Sequence, residues 1–561
     1  MNLGSHLTQC LLSLPPPLTR DLVVEHDLRV PMRDGTVLLA DRWRPRSGGD
    51  GLPTVLLRIP YGRAGMAVVP MVRPLAERGF QVLIQSTRGT FGSGGVFDPM
   101  RHEREDGLDT LDWVIAQPWF GEAMVLYGMS YLGFVQWAVA DQLPPQVKAM
   151  IPAVSESALS LEFLRADGFS LETPFGWGVM VAGQERRWAV PRQLLGARRV
   201  RRAMSELPLN QADFAALGHR SDYIQDVLAH DAGTPRWAEL DHRHRVADIA
   251  VPVSSVGGWY DIFLPGQLRD HQALVAAGRQ ARITVGPWSH TSRGVGVTAA
   301  GEALGFGLAL ARGERPPERA PVRLFVMGEE TWRDFPSWPP PDCAPRRFHL
   351  HPDGVLSTDT AGESAPDRYR YDPADPTPAV GGVRLALGVR GGRVDNSGLE
   401  ARPDVLTYTT AVLETDVEVI GEVSAEIWFR SDLPHADVFV RLCDVDAKGR
   451  STNVCDGLVG LTGADRTSRA TVRLWPTAHR FRLGHRIRVQ VSSGAFPRYN
   501  RNPGTGEPRA TATTLRAGNQ EVFHDAEHPS AILLPVCPAT QKSDLAGRGL
   551  EHGLDISGLD N

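Results

Sequence analysis

Lysine is nearly missing from this chain: Lys148, Lys448 and Lys542 are the only three among 60 basic residues. The arginines that make up the rest interleave with 65 acidic residues and leave a net charge of −5. That balance excludes a general attraction to nucleic acid or to an anionic membrane. Cysteine is scarce as well. Cys10, Cys343, Cys443, Cys455 and Cys537 are too few and too scattered for a disulfide framework, and no CxxC pair suggests a metal site. Cys443 and Cys455 could meet across a hairpin, but reduced thiols of a cytoplasmic protein are the expectation. No uninterrupted apolar stretch approaches the roughly 20 residues that span a bilayer. The N-terminal apolar run lacks both a preceding positive charge and a small-residue cleavage site. These absences imply a soluble, cytoplasmic protein without membrane or nucleic-acid partners.

What is present is a chain of 561 residues, 42% hydrophobic, ample for a large core. At roughly 150 residues per domain it should hold three or four structural units. Residues 22–45 alternate apolar and polar on either side of Asp34-Gly35, a hairpin signal. Apolar runs at 54–60, 80–89 and 123–128 read as buried strands. Residues 71–78, 103–117 and 131–141 carry helical spacing. Strand and helix in alternation imply a mainly parallel sheet covered on both faces. From about Ser155 to Arg245 the strand signal gives way to Arg-, Ala- and Leu-rich helical texture, and strands return at 251–258, 281–287 and 322–328. Beyond a proline-rich stretch at 336–345, short β-type runs separated by turns suggest a jelly-roll β-sandwich. The expected division is 1–154 and 246–344 for one split α/β unit, 155–245 for a helical cap, and 345–561 for the sandwich.

The strongest chemical signal is Gly128-Met129-Ser130-Tyr131-Leu132-Gly133, between a strand and a helix. It resembles the G-x-S-x-G nucleophile elbow, with the second glycine one residue late. Such an elbow exposes a serine Oγ above the sheet and aims the next backbone N–H at a reacting carbonyl. A nucleophilic serine needs a base, and the base needs an orienting carboxylate. In α/β-hydrolases these follow in the order Ser, Asp, His, each after a later strand. The two strands after the cap end in VPVSSVGGWYD and ARITVGPWSH, delivering Asp261 and His290 in that order. Ser130, Asp261 and His290 are therefore the candidate triad, and the fold class is α/β, an α/β-hydrolase domain with an inserted cap and a C-terminal sandwich.

PYGR (60–63), TRGTFGSGG (87–95), GMSYLG (128–133), GGWYDIF (257–263) and GPWSH (286–290) together resemble the CocE/NonD hydrolases. That group contains cocaine esterase, α-amino-acid ester hydrolases and X-Pro dipeptidyl-peptidases. RPDVLTYTT (402–410) and SSGAFPRYNRNPGTGE (492–507) extend the likeness into the sandwich, so it covers nearly the whole chain. The resemblance implies that Ser130 is the nucleophile, Asp261 the acid and His290 the base. It also implies that the Tyr61 hydroxyl shares an oxyanion hole with the Tyr131 N–H. A small-molecule ester is then the expected substrate, with a peptide or amide substrate as the alternative. An inert binding protein using the sandwich is the reading from another class.

No metal or organic cofactor is called for, and a homodimer is a reasonable expectation. Arg88, Asp98 and the glycines at 89–95 read as loop architecture; without a Walker lysine a nucleotide site does not follow. Trp259 and Trp288 flank the triad residues, and Phe169, Phe175 and Trp177 lie in the cap. Each either lines a substrate pocket or packs a core, with Phe169, Trp177, Trp259 and Trp288 the pocket candidates. The acidic cap residues Glu156, Glu162, Asp167 and Glu172 read as solvated helix faces; two of them turned inward could hold a substrate ammonium group.

Overall fold

The chain begins its first sheet with an antiparallel hairpin, β1 (Leu22–Pro31) and β2 (Val37–Pro45). The turn between them closes through the Gly35 N–H on the Met32 carbonyl. The computed structural model describes residues 5–6, 9–10, 12–65, 68–158, 170–186, 189–230, 234–385 and 388–538.

Eight further strands complete this sheet: β3 (Thr54–Ile59), β4 (Gln81–Ser86), β5 (Met124–Met129), β6 (Val147–Ala153), β7 (Val253–Tyr260), β8 (Ala281–Ser289), β9 (Val322–Val326) and β10 (Thr331–Phe335). Their spatial order is β1-β2-β4-β3-β5-β6-β7-β8-β9-β10. From β4 through β9 every pairing is parallel. A parallel strand must be covered on both faces, and β3 and β4 are accordingly buried along their whole length. Val55, Leu57, Val82, Ile84 and Val125 are at most 1% exposed, and each such side chain contributes about 1.5–3 kcal/mol of burial.

Strand β6 has no counterpart in the sequence reading. Its segment, VKAMIPA, carries Pro152 and a charged Lys148, which mask a run that tertiary burial nevertheless makes a central strand. The helical stretch Arg293–Ala311 is a second departure. By length and composition it is apolar enough to cross a membrane, although Arg293 and Glu302 interrupt it in sequence. Half of its most apolar window is buried in the protein; Val295, Ala299 and Ala303 are fully covered, and it packs on β6 and β7. Glu302 accepts from Ser254 at 2.6 Å and is paired with Arg282. In this structure it serves as a core helix of the α/β domain.

Between β6 and β7 lie four described α-helices, Glu172–Ala182, Ala189–Ala203, Ala212–Leu217 and Asp222–Ala229, with three short 3-10 helices among and after them. Leu171, Phe175, Met204, Leu209 and Ile224 form their own small core. After β10 the chain passes into a sheet of thirteen strands among the described residues. Its first strand, Ala344–His351, pairs antiparallel with its last, Ala531–Cys537.

That pairing overturns one expectation. Cys343 and Cys537 are joined by a disulfide across 194 residues, where reduced, scattered thiols were expected. Sequence spacing could not reveal it, because only the pairing of the sandwich's terminal strands brings the two together. The Cys443–Cys455 hairpin does form, with Leu442 opposite Cys455 and Cys443 opposite Asn453, but both thiols are free and buried.

Candidate active site

Three loops at the carboxyl edge of the parallel strands build the site, the usual place for one in an open α/β sheet. Ser130 follows β5 and precedes the helix Tyr131–Trp137. Its backbone sits at φ 58°, ψ −122°, a conformation that costs a non-glycine residue about 1–3 kcal/mol. The glycines on either side permit the turn. A Cβ on Gly128 would lie 2.3 Å from Leu132 Cβ, and one on Gly133 would lie 2.4 Å from Ser155 Cβ. The late second glycine is thus explained: it lets the helix press against the segment that leaves β6.

His290, just after β8, meets Ser130 Oγ with its Nε2 at 2.9 Å. Its Nδ1 lies 2.6 Å from Asp261 Oδ2, just after β7. The other Asp261 oxygen accepts from the Phe263 N–H at 2.9 Å, and the Phe263 ring meets His290 edge-on at 5.6 Å. Asp261 is fully buried and His290 nearly so, while Ser130 is partly exposed. Asp261 and His290 are thus shielded, and Ser130 is accessible.

Tyr61 follows β3 and is half-buried. Its hydroxyl accepts a hydrogen bond from the Trp177 indole N–H at 2.8 Å, and burial pushes its phenol up to about 12. The Tyr131 N–H opens its helix and so has no partner within it. The Tyr131 side chain faces a different partner set: its hydroxyl donates to Glu103 Oε1 at 2.6 Å and accepts from the Met100 N–H at 2.8 Å. Glu103 is in turn paired with Arg58 at 2.9 Å. Burial raises the Glu103 carboxyl, with Arg58 opposing the shift. This buried chain anchors the first residue of the helix behind the serine; nothing in the local motif announced it.

The pocket candidates separate. Trp177, on the cap helix Glu172–Ala182, is half-buried and stacks on Tyr131 at 6.2 Å. Tyr223, which the sequence reading passed over, meets Trp177 edge-on at 4.9 Å, and its buried hydroxyl has no hydrogen-bond partner. Trp259 is 2% exposed, donates to the Phe325 carbonyl at 2.7 Å and packs on Trp338. Trp288 is 4% exposed, wedged against Gly286 and Gly294 and beside Trp332. Both are packing residues and not the pocket walls that the sequence offered as candidates: adjacency in sequence to Asp261 and His290 says nothing about which side of the sheet a ring occupies. Phe175 likewise belongs to the cap core. Phe169, Glu162 and Asp167 lie outside the described residues.

The acidic cap residues Glu156 and Glu172 are not on solvated faces. Both are buried, because each has an arginine partner that offsets the desolvation. Glu172 is held in a bidentate pair by Arg384 of the sandwich, at 2.8 and 2.5 Å, and Glu156 lies 3.2 Å from Arg269. Arg88 is bound by Asp106 and Asp34, and Asp98 by Arg101, so the glycine-rich loop is braced by ion pairs. Among the described residues no group of three or more His, Cys, Asp and Glu side chains is arranged to hold a metal ion. A second Ser-His-Asp cluster occurs in the sandwich, where Ser364 meets His524 Nδ1 at 2.8 Å and His524 Nε2 meets Asp367 at 3.1 Å. It has neither the positive-φ serine nor a helix beginning at the next residue.

Residues 34–292 match the X-Pro dipeptidyl-peptidase (S15) family, and residues 318–533 match the X-Pro dipeptidyl-peptidase C-terminal non-catalytic domain. Cocaine esterase of Rhodococcus sp. (strain MB1 Bresler) is 33% identical over 91% of this chain and 98% of its own length. Among solved structures, an aminopeptidase from a marine-sediment thaumarchaeon is 20% identical, with a TM-score of 0.80 over 93% of this chain and 98% of its own. An α-amino acid ester hydrolase is 21% identical, with a TM-score of 0.77 over the same shares. With the two family matches and the identity to cocaine esterase over nearly the full length of both chains, the chain belongs to the CocE/NonD family of serine hydrolases.

Proposed function

We propose that the protein cleaves carboxylic esters through an acyl-enzyme on Ser130. The observation that carries this reading is the continuous contact from Ser130 Oγ through His290 to Asp261, at 2.9 and 2.6 Å. His290 Nε2 takes the serine proton as Oγ attacks the carbonyl, while Asp261 fixes the tautomer and stabilises the imidazolium. The oxyanion forms between the Tyr61 hydroxyl and the Tyr131 N–H. The protonated histidine then delivers its proton to the leaving alcohol, and water, activated by the same base, releases the acid.

The likeness to cocaine esterase supports an ester over a peptide substrate, as does the state of the acidic cap residues. An aminopeptidase needs a carboxylate for the substrate ammonium, and Glu156 and Glu172 are both engaged by arginine. A second reading, release of X-Pro dipeptides from the amino end of a peptide by cleavage after proline, is favoured by the family match over residues 34–292. Initial rates on p-nitrophenyl butyrate and Gly-Pro-p-nitroanilide separate the two, with Ser130→Ala as the blank. Serine-dependent cleavage of the ester and none of the anilide is expected. Serine-dependent cleavage of the anilide would reverse the ranking.

A further inference from the structure

A phenol oxygen carries one proton and can accept hydrogen bonds as well, whereas an indole N–H can only donate. The 2.8 Å contact between Trp177 Nε1 and Tyr61 Oη therefore has one polarity: Tyr61 accepts, and its own proton is left for another acceptor. The indole is held in place on two sides. It stacks on Tyr131 with an interplanar angle of 15° and receives the edge of Tyr223, while Tyr61 meets Tyr131 edge-on at 6.4 Å. The two proposed oxyanion donors and the indole thus form one aromatic cluster around the residue that follows Ser130.

We propose that Trp177 is a positioning residue of the oxyanion hole, whose N–H orients and polarises the Tyr61 hydroxyl toward the carbonyl oxygen. This rests on the oxyanion role proposed for Tyr61. A hydrogen bond accepted by the phenol oxygen strengthens the bond its proton donates. During attack the serine Oγ–carbon bond forms, the carbonyl π pair moves to oxygen and the serine proton moves to His290. Tyr61 and Trp177 keep their protons throughout.

The consequence is that the cap completes the catalytic apparatus. Trp177 stands on a helix whose first residue, Glu172, is clamped by Arg384 of the sandwich. A Cβ on the next residue, Gly178, would lie 2.6 Å from Ile224 and 2.9 Å from Tyr223, so the two cap helices touch closely behind the indole. The oxyanion donor is then set by all three parts of the chain: Tyr61 from the α/β unit, Trp177 from the cap, Arg384 from the sandwich.

Trp177→Phe keeps an aromatic ring and removes the donor. With p-nitrophenyl butyrate, kcat should fall about 10-fold, the scale of one lost neutral hydrogen bond, with KM nearly unchanged. Tyr61→Phe should cost about 10²–10³. The double variant should be no slower than Tyr61→Phe alone, because the indole acts through the phenol. Losses that multiply in the double variant, an unchanged kcat in Trp177→Phe, or a rise in KM alone would overturn the proposal. Should Trp177→Phe fold poorly, 3-benzothienylalanine at position 177 removes only the N–H and must show the same kcat deficit. If Tyr61→Phe itself leaves kcat unchanged, the oxyanion role of Tyr61 fails and the proposal with it. Slow Tyr61→Phe with unimpaired Trp177→Phe sinks the indole's role alone.

Discussion

The indole N–H of Trp475, in the β-sandwich, donates to the backbone carbonyl of Asp261 at 3.0 Å, across a sequence separation of 214 residues. The domain matched to a non-catalytic family segment therefore holds the loop that presents the proposed triad acid. Trp475 is itself fixed from behind. Its backbone N–H donates to the Asp456 carbonyl at 3.0 Å, and the guanidinium of Arg498 lies 5.0 Å from its ring centre. Asp456 is a buried carboxylate paired with both Arg441 and Arg498, and those arginines, opposing the effect of burial, hold its carboxyl below the usual range.

Trp475→Phe should therefore lower kcat by about 3- to 10-fold, the scale of one hydrogen bond lost at a positioning residue. The thermal transition should fall only modestly, since the ring volume is largely kept. Steady-state rates and a melt on the same preparation check this. A wild-type kcat in a well-folded variant would mean the Asp261 loop keeps its position without the sandwich.

In the oxyanion role proposed for it, the Tyr61 hydroxyl could donate only while protonated, and its phenol is pushed up to about 12 by burial, against an ordinary value of about 10. The protonated form persists below the folded value, so kcat should hold level from pH 8 to 10.5. A decline centred near pH 10 that disappears in Tyr61→Phe would show that the phenol is not shielded as the structure indicates.

Acid should weaken the fold before it protonates most carboxylates. Burial holds His242 and His271 down to about 4, whereas an unfolded chain protonates them near 6.5. Between those values the unfolded state binds more protons, so stability rises with pH through that window and is lost as pH falls through it. The melting temperature should drop steadily from pH 7 to 4.5. Substituting both histidines by glutamine should flatten that slope, and an unchanged slope would remove them as its cause.

Gly133→Ala places a methyl 2.4 Å from Ser155 Cβ, and no flexible side-chain end is available to yield. A loss of about 1–3 kcal/mol is expected from the overpacking, together with reduced kcat as the elbow shifts. Chemical denaturation and ester assay check it; a neutral substitution would mean that the elbow tolerates displacement of its helix.

The alternation of strand and helix, the helical stretch that interrupts it and the short β-runs after the prolines were readable because each rests on a local pattern of residue types. What escaped depended on distance. Cys343 and Cys537 meet through the pairing of the sandwich's first and last strands, and Trp475 reaches Asp261 through the docking of two domains. Glu156 and Glu172 read as surface charge because their arginines are far away in sequence. Trp259 and Trp288 neighbour the site in sequence but belong to the core. Strand β6 was hidden by its proline.

Trapping the acyl-enzyme tests the central claim most directly. The protein is mixed with excess p-nitrophenyl acetate, quenched in acid within the first turnovers, and read by intact mass and peptide mapping. The account predicts one added acetyl group per chain, on Ser130, accumulating further in a variant slowed in deacylation and absent in Ser130→Ala. An acetyl group on another residue such as Ser364, or ester cleavage that persists in Ser130→Ala, would contradict it.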